Sequence, residues 1–121
     1  MNARAANIYK RVDLDSAPKT QILERLFDRF ERDLEVARTA IKAKDIHGKA
    51  AALDHALRIV GELVASLDHA AAPELCANLD ALYRYVMEQI GEANTKLAIE
   101  PLAHASRVMT DLADSFKQAH K

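Results

Sequence analysis

Apolar residues recur at helical spacing in four separate stretches of this chain. The first stripe is Leu23, Phe27, Phe30, Leu34, Ala37 and Ile41. The second is Leu53, Leu57, Val60, Val64 and Leu67, and the fourth is Leu102, Ala105, Met109, Leu112 and Phe116. Steps of three and four residues return a side chain to the same helix face, so each stretch predicts one amphipathic helix. Punctuation agrees with the stripes. Ser16 before Pro18 predicts a capped start for a helix running to about Ala43. The second helix is predicted from Ile46 to Leu67. Ala70-Ala71-Ala72-Pro73 breaks it from a third that Asn94 closes, and Pro101 opens the fourth. Four such helices on short links predict an all-α fold, an antiparallel four-helix bundle over residues 16–121. Residues 1–15 lack helical periodicity. Ile8, Tyr9, Val12 and Leu14 predict a short N-terminal arm packed on the bundle.

The third helix carries more apolar surface than one interface needs. Leu75, Leu79, Leu82, Val86, Ile90 and Ala93 form the predicted core stripe, with Tyr83, Met87 and Cys76 on one flank and Tyr85 and Ala81 toward the other. Only Glu74, Asp80, Arg84, Glu88 and Glu92 mark a polar side. The excess predicts that a second surface covers the flanks, either a partner peptide or another copy of the chain. Gly61, inside the second helix, predicts a close helix contact there.

Composition narrows the choices. In 121 residues, 17 basic and 18 acidic side chains nearly cancel. Neither a nucleic-acid partner nor an anionic membrane surface is expected from that balance. No run approaches the ~20 apolar residues of a membrane span, and Met1 to Asn7 show no apolar signal core. A cytoplasmic protein is expected. A lone Cys76 cannot form an internal disulfide and is expected as a small residue at the core flank.

Candidate chemistry is sparse. The Glu-x-x-His pairs of a di-iron bundle are absent, and His47, His55, His69, His104 and His120 share no ligand spacing, so no metal or other cofactor is expected. No nucleophile–base grouping and no phosphate loop appears, so no catalytic residue is assigned. One alternative is a histidine phosphotransfer domain, since His55-Ala56-Leu57-Arg58 supplies a His, a Leu and a basic residue on a predicted helix surface. Ile59 stands where such domains keep a Gly. The plainer reading is a solvated His55 beside Asp54 and Arg58. A homodimeric structural bundle is the other alternative.

The residues nonetheless resemble one family. Asn78-Leu79, Leu82-Tyr83, Tyr85-Val86 and then Ala93-Asn94 are similar to the signature helix of the bacterial flagellin-specific export chaperones, the FliS family. Lys49, Leu53, Ala56, Ile59-Val60, Glu62-Leu63 and Ser66-Leu67-Asp68 match that family's second helix. Leu26-Phe27-Asp28, the upstream Tyr9 and the closing Leu112-Ala113-Asp114-Ser115-Phe116-Lys117 agree in order, with the step from Pro18 to Leu26 one residue longer than the family's. Arg29 replaces a Gly, His104-Ala105 replace Glu-Val, and Phe116 replaces a Trp. The resemblance implies a non-enzymatic chaperone that binds the disordered C-terminal segment of flagellin, prevents premature polymerisation and assists export. It implies partner-binding residues among Ile8, Tyr9, Val12, Leu57, Asn78, Leu82, Tyr83, Tyr85, Val86 and Asn94, with at least one of Tyr83 and Tyr85 on the client. Contact with components of the export apparatus and a weak homodimer are left open. The arm around Tyr9 is expected to act as a lid over client-binding surface.

Overall fold

In the computed structural model, residues 17–119 are described, with side chains from 21 to 118. The predicted N-terminal arm and the Ser16 cap lie outside the described residues. Four helices follow in order: α1 Ala17–Lys42, α2 Ile46–Ala65, α3 Pro73–Lys96 and α4 Glu100–Ala119. The expected all-α four-helix bundle is the observed fold.

The helix ends explain where the chain turns. Lys44 adopts the left-handed conformation at φ 59°. Its N–H then reaches the Ile41 carbonyl at 3.1 Å, and the Asp45 N–H reaches that of Ala40 at 2.8 Å. This pair of bonds closes the last turn of α1. Asp45 also opens α2, because its carboxylate accepts from the Gly48 N–H at 2.9 Å. One residue thus serves two helix termini, and the link between them is only three residues long. A Cβ on residue 48 would fall 2.4 Å from the Asp45 carboxylate, so glycine is what lets this cap seat. At the other end of α2, Ser66 turns the chain with its backbone N–H and its hydroxyl both on the Glu62 carbonyl. Pro73 then starts α3, where its missing N–H costs nothing. Left-handed Leu97, at φ 53°, ends α3 with its N–H on the Ala93 carbonyl.

Each helix packs on two neighbours. α1 meets α2 and α4, α3 meets the same two, and the diagonal pairs do not approach. Cross-links confirm the antiparallel sense: Glu31 of α1 accepts from Ser106 at 2.8 Å and Thr110 at 3.3 Å, and Asp28 pairs with Lys117 further along α4. The Phe27 and Phe116 rings, 6.3 Å apart and tilted, join the same two helices inside the core.

The core follows the predicted stripes on α1 and α4, where Leu23, Phe27, Phe30, Leu34, Ala37, Leu102, Ala105, Met109 and Phe116 are buried. On α2 the buried line is Leu53, Ala56, Val60 and Leu63, continued by Leu67 just past the helix end and flanked by Ala52 and Ile59, while Leu57 and Val64 are only partly covered. On α3 the structure corrects the expectation. Cys76 and Tyr83, assigned to the flank, have no exposed surface, whereas Leu75 and Leu82, assigned to the core, are exposed. The buried set Cys76, Leu79, Tyr83, Val86, Ile90 and Ala93 keeps a strict 3-4-3-4-3 alternation. The expected set contained consecutive steps of four at Leu82, Val86 and Ile90, which drift around the helix. Only the regular alternation keeps a seam facing its neighbours over the roughly five turns from Cys76 to Ala93. Gly61 also departs from expectation. Nothing lies within 4 Å of where its Cβ would be, so it makes no close helix contact.

Candidate functional site

α3 carries two apolar columns one residue apart in register. The first is the buried seam. The second is Leu75, Leu82 and Tyr85, with Asn78 between them, and these three apolar side chains are 38–40% exposed. An offset of one residue rotates a side chain by about 100° around the axis, so burying the first column turns the second outward, toward α4. Gln89 of α3 bonds His104 of α4 at 3.0 Å and sets the register of that pair. Counting back along the antiparallel hairpin places Val108 level with Tyr85, and Leu112 near the level of Leu82. Both are partly buried against the core. The outer column of α3 and this rim of α4 therefore make one apolar strip.

The predicted partner residues separate into groups. Asn78, Leu82 and Tyr85 come together on the strip and are exposed. Tyr83 and Val86 stand behind it with no exposed surface, so in this conformation they present nothing to a partner. Leu57 sits on α2, partly covered by the core. Asn94 is exposed near the end of α3, and its carbonyl accepts from Lys49 Nζ at 3.2 Å. Ile8, Tyr9 and Val12 lie outside the described residues, and the lid expected of their arm lies there with them. Sequence reasoning missed Leu75 as a surface residue. The signal was present in the regular spacing of Cys76, Leu79 and Tyr83, which leaves Leu75 on the outer column. It also missed Ile46 and Leu97, both half-exposed at one end of the bundle.

A larger open groove of about 500 Å³ runs between α1 and α4. Leu34 and Leu102 form its floor, but Glu31, Glu35, Arg38, Arg107 and Asp111 crowd its rim. Glu31 is already committed to Ser106 and Thr110. No predicted partner residue lines it.

His55 is not the free surface histidine that was expected. Its Nδ1 lies 2.5 Å from an Asp33 carboxylate oxygen, and Arg29 lies 3.3 Å from its Nε2. A proton on Nδ1 satisfies both contacts, with Nδ1 donating to Asp33 and Nε2 accepting from Arg29. Both ring nitrogens then face partners on α1. Arg58 pairs with Asp54 at 2.9 Å instead. Among the described residues no group of His, Cys, Asp and Glu could hold a metal ion, and no helix is long and apolar enough to cross a membrane. Cys76 is buried, and its thiol donates to the Asp68 carbonyl at 3.3 Å. Burial pushes this thiol's pKa up, and the nearby Asp68 charge adds to the effect.

The chain's likenesses point one way. A family model described as flagellar protein FliS matches residues 1–121. The flagellar secretion chaperone FliS of Salmonella typhimurium is 28% identical over 121 residues, which cover 96% of this chain and 90% of that protein. The protein of the same name from Escherichia coli K12 is 27% identical, covering 97% and 90%. Its namesake from Bacillus subtilis is 28% identical, covering 92% and 82%.

Proposed function

From the premise that this chain belongs to the FliS family, we propose that it is a flagellar secretion chaperone whose client is the C-terminal segment of a flagellin. It holds that segment in the cytoplasm, keeps it from polymerising and passes it to the export apparatus. The relatives named above are chaperones by name, and a binding role of this kind requires no catalytic group. The observation that carries the reading is the exposed column Leu75, Leu82 and Tyr85 beside Val108 and Leu112.

The physical logic is coupled folding and binding. A flagellin tail without a core of its own stays disordered alone. On the chaperone, apolar tail residues at helical spacing lie along the strip, whose own anchors on α3, Leu75, Leu82 and Tyr85, stand seven and three residues apart on one helix face. Ordering the tail consumes about 2–5 kcal/mol of the gross interaction. Affinity is thereby moderated, and a bound tail remains releasable at the exporter. Covering the tail's apolar face also removes the surface through which subunits would associate.

Calorimetry with a purified tail peptide from a flagellin of the producing organism tests the proposal. Saturable one-to-one binding with a negative heat-capacity change is the expected result. If every such tail fails to bind, and sedimentation shows a dimer that the tails leave intact, the strip is a self-association surface and the chaperone reading is wrong.

A further inference from the structure

Where α1 gives way to α2 and α3 comes to its end, a cavity of about 360 Å³ opens at the end of the bundle. Its walls include Lys44, Asp45 and Lys49 together with the aliphatic chains of Ile41, Ile46 and Leu97. Lys49 is only 7% exposed. An ammonium has three N–H donors, and among the described residues one acceptor is in place, the Asn94 carbonyl at 3.2 Å. No described carboxylate forms an ion pair with Lys49. Asp45, the acid on the wall, already caps α2 through the Gly48 N–H. A buried cation without a counter-charge is costly to maintain. The backbone around it is strained as well. Lys44 and Leu97, the two non-glycine residues with positive φ among those described, both belong to this wall. Strain of this kind gathers at ligand clamps.

We propose that this cavity binds a chain-terminal carboxylate carried by an aliphatic residue, and that its occupant is the C-terminus of the client polypeptide. Lys49 would take the carboxylate from inside and Lys44 from the rim, through charge-assisted hydrogen bonds. The terminal side chain would pack among Ile41, Ile46 and Leu97. The client is the favoured source because α3 carries the strip along its length and leads at its end to Leu97 of the cavity wall. Leu97 lies twelve residues beyond Tyr85, about 18 Å along the helix, a distance that five or six extended residues bridge. A tail laid along α3 with its end toward Leu97 delivers its carboxylate here. The inference rests on the chaperone reading and adds to it the direction of the bound tail and the recognition of its end.

The test compares one tail peptide as the free acid and as the C-terminal amide, on the unaltered protein. Amidation is expected to weaken binding about tenfold to a hundredfold, the effect of losing a charge-assisted hydrogen bond. In Lys49→Met the two peptides should bind alike. Equal affinity of acid and amide for the unaltered protein overturns the inference and leaves the chaperone reading standing. Failure of both peptides to bind overturns both. A third arm follows 4-methylpentanoate by NMR at Ile46, Lys49 and Leu97. If it binds while the two peptides are not distinguished, the cavity serves a free small carboxylate and the assignment to the client end is overturned.

Discussion

Leu82 and Tyr83 are adjacent in sequence and opposite in consequence. Tyr83 has no exposed surface, so Tyr83→Ala leaves a cavity among Val86, Leu79 and their neighbours. A large aromatic removed from a core costs about 3–5 kcal/mol, and a urea melt should show a shift of that size. Leu82 is half-exposed, and Leu82→Ala should move the same melt by under about 1 kcal/mol, as surface-proximal changes do. The order reverses for tail binding, where Leu82→Ala and Tyr85→Ala should each weaken affinity by about 1–3 kcal/mol, typical of interface anchors. If calorimetry finds both variants binding normally, the strip is not the client surface. Cys76 offers a separate measurement. Its folded pKa is raised, so above the ordinary thiol value of 9.0 the folded state holds a proton that the unfolded state has released. Stability should then fall as pH rises past that value and be unaffected below it. Urea midpoints across that range should decline less steeply in Cys76→Ala. The thiol should also react slowly with a disulfide reagent until the protein unfolds.

At the scale of the element, the helix termini hold improvable energy. Lys44 and Leu97 occupy the left-handed region, where an L side chain costs roughly 1–2 kcal/mol. Lys44→Gly removes that cost, less the extra entropy glycine brings to the unfolded chain, for a net gain of about 0.5–1 kcal/mol. Glycines inside α2 should respond in opposite ways to alanine. Gly61→Ala meets open space and should stabilise by up to about 1 kcal/mol through helix propensity. Gly48→Ala gains the same propensity but pushes the new Cβ against the Asp45 carboxylate. Loss of that cap costs about 0.5–2 kcal/mol, so the net change should be zero or unfavourable. Thermal melts of the pair decide this. A stabilised Gly48→Ala would mean that Asp45 is not an effective cap. These contrasts were illegible in the sequence, where Gly48 and Gly61 differ only in distance from the start of a helical stretch.

For the whole molecule, the four helices, their order and their links were readable in one dimension. Stripes of apolar residues at steps of three and four, with Pro and Ser between them, arise from the 3.6-residue period of each helix alone. The excess of apolar surface on α3 was readable for the same reason. Which of its two columns enters the core was not a local matter. Leu75 and Leu82 are as hydrophobic as Cys76 and Tyr83, and they differ from them by a single step around the axis. α2 and α4 together choose the column, because both must meet α3 along a seam that stays in phase over its full length. The contact of His55 with Asp33 and Arg29, and the enclosure of Lys49 beside the end of α3, are likewise decisions of tertiary structure. They join residues more than twenty positions apart, and no periodicity within one helix carries information about what a neighbouring helix sets against it.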